Sequence, residues 1–61
     1  MFRTIPDFLA WIYTHADVDF AVPVPISTIP RHLWGEIHSY GTYIMGLFYP
    51  SEHAVMQASR L

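Results

Sequence analysis

Residues 18–27 read VDFAVPVPIS, and no other stretch limits so strongly what the chain can become. Val18, Phe20, Val22, Val24 and Ile26 share one parity, and Asp19, Ala21, Pro23 and Pro25 share the other. Each proline lacks an N–H and pushes the residue before it, Val22 or Val24, toward β or polyproline II geometry, so the segment is extended and not helical. In a strand, residues two apart aim their N–H groups at the same edge. Pro23 and Pro25 therefore strip donors from one edge and leave the other able to pair. The apolar parity is expected to lie on the rest of the domain, with Asp19 and the prolines facing out. Within the chain the only candidate partner strand is Thr42 to Tyr49; otherwise the free donors meet water, a second copy or the sheet edge of another protein.

On either side of this segment the pattern turns helical. The tripeptide Thr-Ile-Pro occurs at Thr4 to Pro6 and at Thr28 to Pro30. Threonine is a good N-cap and proline is tolerated in a first helical turn, so both occurrences predict helix starts. After the first, Ile5, Phe8, Leu9, Ile12 and Ala16 fall on one helical face, with Trp11 and Tyr13 flanking it. After the second, Leu33, Trp34, Ile37, Tyr40, Ile44 and Phe48 keep helical spacing, while Arg31, His32, His38, Ser39 and Thr42 fall opposite. Gly41 lies on the apolar side, where it would admit a close backbone, and marks the expected kink or break. A third start stands at Ser51, followed by Glu52 at the positive end of the helix dipole; Ala54, Ala58 and Leu61 form its narrow face.

The fold class expected from these signals is mostly α: a small three-helix domain with an extended proline-containing segment. Its elements are a helix over about residues 6–16, an extended segment over 18–26, a helix over 30–48 broken near Gly41, and a helix over 51–60. The alternative is an α+β domain with a two-stranded sheet, because Thr42 to Tyr49 is β-branched and aromatic enough to form a strand. At 61 residues the expectation is one domain, residues 1–61, which buries only about 60% of its unfolded surface. With no cysteine, neither a disulfide framework nor a thiolate metal site adds stability.

Composition narrows the function classes. Apolar residues make up 52% of the chain and charged residues 13%, which is met either by apolar surface left for a partner or by a single aromatic-rich core. The longest stretch without a formally charged side chain, Ile37 to Ser51, contains His38 and Pro50 and is shorter than the ~20 apolar residues of a spanning helix. No membrane span and no secretory leader are expected, which makes the expected compartment the cytosol. Arg3, Arg31 and Arg60 are the only cationic side chains other than histidine, too few and too scattered for direct nucleic-acid binding. Asp7, Asp17, Asp19, Glu36 and Glu52 are likewise too dispersed for a nucleic-acid mimic.

Catalytic and metal chemistry are poorly served. His15, His32, His38 and His53 invite a metal reading, and His32 with Glu36 would share a helical face, but a zinc site needs three or four converging ligands. No metal and no cofactor are expected. Lacking cysteine and lysine, the chain has no thiolate or side-chain Schiff-base chemistry. No nucleophile-elbow, zinc-protease or phosphate-cradling motif is present, so no catalytic residue is assigned and the expectation is a protein that is not an enzyme.

The leading expectation is a non-enzymatic protein-binding module that occupies a surface of a larger protein or complex. In size and character it is of the sort phages use to inhibit host defence, anti-CRISPR proteins among them. The alternative is a small accessory subunit or self-associating structural protein, monomer or homodimer, and a second alternative is a histidine-based metal protein. The predicted contact residues are Trp11, Tyr13, Asp17, Asp19, Pro23, Pro25 and Tyr43, aromatic flanks and extended backbone outside the predicted core.

Overall fold

The structure is a computed structural model that describes residues 1–15 and 22–61. The first helix, α1 (Ile5–His15), begins where the sequence places it. The Thr4 hydroxyl accepts the Asp7 N–H at 3.3 Å, and its carbonyl accepts the Phe8 N–H at 3.2 Å. A further free donor of the first turn, the Ile5 N–H, reaches a carboxylate far along the chain, Glu36 Oε1 at 2.8 Å. Ile5, Phe8, Leu9 and Ile12 are buried as the helical spacing predicts, while Ala16 lies outside the described residues.

The extended segment is shorter than expected. Strand β1 (Val24–Pro25) is followed at once by a 3₁₀ turn over Ile26–Thr28, and the first residues of the predicted segment, 18–21, lie outside the described residues. In that turn the Thr28 hydroxyl donates to the Pro25 carbonyl at 2.7 Å. Thr28 is therefore engaged backwards and does not cap the next helix.

The predicted helix over 30–48 is the principal correction. The chain forms a 3₁₀ helix (Arg31–Glu36), a single α-helical turn α2 (Ile37–Tyr40) and then a β-hairpin of β2 (Gly41–Ile44) and β3 (Leu47–Pro50). The break falls at Gly41, as expected. A Cβ there would collide with the Tyr49 carbonyl oxygen and come within 2.9 Å of the Phe48 ring, so only glycine lets β3 approach this closely. After it the β-branched and aromatic run pairs more favourably than it coils. The turn residues Met45 and Gly46 both have positive φ, 51° and 81°, as a type I′ hairpin turn requires.

The result is a mixed α+β fold, with three α-helices among the described residues, in agreement with the stated alternative except that the described sheet has three strands, not two. All pairs are antiparallel in the order β1-β3-β2, with Val24 opposite Phe48 and Tyr43 opposite Phe48 on its other side. The final helix, α3 (Glu52–Ser59), starts at Ser51, whose hydroxyl accepts the Ala54 N–H at 3.1 Å, and it packs Ala54 and Ala58 into the core.

One core unites these pieces. Ile5, Phe8, Leu9 and Ile12 of α1 meet Val24, Ile29, Leu33, Ile37, Phe48, Ala54 and Ala58. Trp34 and Ile44, which helical spacing assigns to this core, are exposed instead: Trp34 lies in a 3₁₀ helix, whose three-residue turn does not keep the α-helical face, and Ile44 lies in β2. Val22 and Leu61 are exposed as well. Among the described residues no helix is long and apolar enough to cross a membrane.

Candidate functional site

The pleat sorts the sheet residues into two faces. Val24, Phe48 and Tyr43 stand in register on the face that meets the helices. The opposite face carries Pro25, Leu47 and Ile44 in one row, with Thr42 and Tyr49 in the next. Pro25, Thr42, Ile44 and Tyr49 are exposed, Ile44 to 51%, and Leu47 is half-buried. Thr42 is the only hydroxyl-bearing aliphatic among them, and none of the five is charged. At the hairpin tip the Met45 side chain is 93% exposed. The outer face and tip thus form one apolar patch with no covering element among the described residues.

On the inner face, at the same end of the sheet, Tyr43 lines an open groove of about 230 Å³ with Ile26, Trp34, Ile37 and His38. Trp34 is held in place: its indole N–H donates to the Ile29 carbonyl at 2.8 Å, and the Arg31 guanidinium lies 5.4 Å from the ring centroid. A large ring fixed in this way binds without much further loss of side-chain entropy.

The predicted contact residues divide between two places. Pro25 belongs to the outer face, Tyr43 to the groove at 44% exposed, and Pro23 is half-buried beside β1. Trp11 and Tyr13 stand elsewhere, lining a hollow with Ala58 and Leu61 between α1 and α3. Trp11 is exposed and stacked on His15, with ring centroids 5.2 Å apart. Tyr13 is half-buried, and burial pushes its phenol above the usual range. Asp17 and Asp19 lie outside the described residues. Sequence reasoning missed Ile44, Met45, Tyr49 and Trp34, the first and last because helical spacing placed them in the core.

Glu36, His32 and His15, three of the residues behind the metal reading, have structural partners. Glu36 accepts the Ile5 N–H, and His32 Nε2 carries a proton that it donates to the Phe2 carbonyl at 2.6 Å. His15 Nδ1 is bonded to the Trp11 carbonyl at 3.1 Å. Among the described residues no three histidine or carboxylate side chains converge as a metal would require. In comparisons with family models, curated proteins and solved structures, the chain matches none.

Proposed function

We propose that the protein is a non-enzymatic binding module that occupies a surface of a larger protein through the outer face of its sheet. The observation that carries this reading is the Met45 tip joined to the apolar row of Pro25, Leu47 and Ile44 and to Tyr49 in the next row. A methionine at positive φ is disfavoured by roughly 1 kcal/mol or more relative to glycine or asparagine, and this one is almost entirely in water. The core gains nothing from it. A flexible, polarizable side chain at an exposed tip is well suited to an irregular protein surface. The adjoining face offers aromatic and aliphatic area without charges that would need to be desolvated.

The test is affinity capture with the tagged protein from its native host, with the double variant Ile44→Asp, Tyr49→Asp as comparator. The reading predicts a stoichiometric large partner with the wild type and none with the variant, while circular dichroism shows both chains folded. Capture that survives in the folded variant, or no partner at all, would refute it.

A further inference from the structure

The groove on the inner sheet face, unlike the outer face, has charged and hydrogen-bonding groups at hand. Ile26 and the buried Ile37 give it apolar walls, and the rings of Trp34 and Tyr43 are exposed on it. Its volume of about 230 Å³ is below the ~300 Å³ at which ligand pockets commonly begin, so it suits one or two rings and not a nucleotide. Beside the Trp34 wall the Arg31 guanidinium, 5.4 Å from the ring centroid, is held by a cation–π contact. Carboxylates outnumber arginines five to three in the chain, yet among the described residues none pairs with Arg31 and no carbonyl accepts from its fork of N–H donors. The described carboxylates are placed elsewhere: Asp7 accepts the Arg3 N–H at 3.3 Å, Glu36 accepts the Ile5 N–H at 2.8 Å, and Glu52 opens α3. None of the three lines the groove. His38 and Tyr43 do line it, and among the described residues neither the imidazole nor the phenol hydroxyl has a hydrogen-bond partner. An imidazole carries at least one N–H whether neutral or charged, so both groups can donate.

We propose that this groove binds a small flat aromatic carboxylate, with its ring against Trp34 and Tyr43 and its carboxylate turned to Arg31. Each part of the site selects one part of the ligand. The indole is immobilised by its bond to the Ile29 carbonyl, so a planar ring meets a wall that is already in place. Ile26 and Ile37 favour an apolar body and offer nothing to pair a second polar substituent. The guanidinium matches a carboxylate through two parallel N–H donors, and the donors of His38 and Tyr43 are of the same sign. A cationic ligand would use the same two rings, but Trp34 already carries a cation, and no described carboxylate lines the groove to balance a second. A neutral aromatic fills the groove and leaves Arg31 unpaired, so charge is what gives the carboxylate its advantage. Because Arg31 and the rings are exposed, that advantage is several-fold and not larger, and the affinity for a single ring is in the millimolar range.

This inference is independent of the proposed function, which uses the outer face. Benzoate is the probe, titrated into the full chain and followed by nuclear magnetic resonance, with benzamide as the neutral isostere and benzylamine as the cation. Benzoate is expected to give saturable shifts at Trp34, Ile37, His38 and Tyr43, benzamide to bind about three- to tenfold more weakly, and benzylamine to bind most weakly. Arg31→Gln removes an exposed charge and should bring benzoate and benzamide to equal affinity. Trp34→Ala should weaken both alike, and Tyr43→Ser, at an exposed ring, repeats that test should Trp34→Ala unfold. Benzoate that binds no more tightly than benzamide would overturn the proposal, as would a preference for benzoate that persists in Arg31→Gln. So would shifts that do not saturate, or that fall instead on Trp11 and Leu61 in the hollow between α1 and α3. None of these results bears on capture of a protein by the outer face.

Discussion

Met45 shows how a single residue can reveal a division between stability and use. A type I′ turn needs positive φ at both central positions, and Asn-Gly is the sequence that meets this need most readily. This chain has Met-Gly, with methionine at φ 51° and its side chain in solvent. Met45→Asn should therefore raise the free energy of unfolding by about 1 kcal/mol, which in so small a domain moves Tm up by about 4–8 °C. Thermal melting reads the change directly, and an unchanged or lowered Tm would mean that Met45 supports the monomer. Tyr13 provides a second test at this scale. Its phenol is held neutral by burial, so its folded pKa lies above the ordinary 10.0. As pH rises past that value the unfolded chain ionises first, and stability falls through the window up to the raised folded pKa. Melting temperatures between neutral and strongly alkaline pH should show this fall, and Tyr13→Phe should flatten it.

At the scale of elements, the two terminal helices were legible and the middle of the chain was not. α1 and α3 each have a capping hydroxyl, an acidic residue in the first turn and apolar spacing that all point to the same answer. Between them, Ile37, Tyr40, Ile44 and Phe48 satisfy helical spacing while Thr42 to Tyr49 is β-branched and aromatic enough for a strand, and only the tertiary structure decides. The hairpin lacked its usual signal because methionine fills a position where asparagine or aspartate would have announced the turn. Pro25 and Tyr43 of the candidate site could be read as exposed extended backbone and an aromatic flank, but Ile44, Met45 and Tyr49 could not be recognised until the hairpin was known. Gly41 was legible as a break for a reason that the structure makes specific. Gly41→Ala forces a Cβ against the Tyr49 carbonyl and the Phe48 ring, so β2 must draw away from β3. It should destabilise the domain by about 1–3 kcal/mol, as overpacking does. Ser51→Ala should cost about 1 kcal/mol through loss of the cap on the Ala54 N–H. Denaturant titration reads both as a lowered midpoint, and a Gly41→Ala variant as stable as the wild type would contradict the close approach described here.

For the whole molecule, Phe48 is the point where the layers meet. It lies on the central strand between Val24 and Tyr43, is fully buried, and shares the core with α1 and α3. A chain of 61 residues has a total stability of about 3–9 kcal/mol at ordinary values per residue. Replacing a buried phenylalanine by alanine removes about 3–5 kcal/mol, since so small a domain has few neighbours able to collapse into the space. Phe48→Ala should therefore leave a large fraction of the chain unfolded at 25 °C, with sheet and helices lost together because each layer relies on the same ring. Tyr49→Ser, one residue away on the outer face, deletes a ring that is 42% exposed and should lower melting far less than Phe48→Ala while abolishing partner capture. Circular dichroism and near-ultraviolet spectra of the two variants provide the measurement. A folded Phe48→Ala would contradict the shared core, and a Tyr49→Ser variant that melts as readily as Phe48→Ala would show that the outer face helps to hold the monomer together and is not free for a partner.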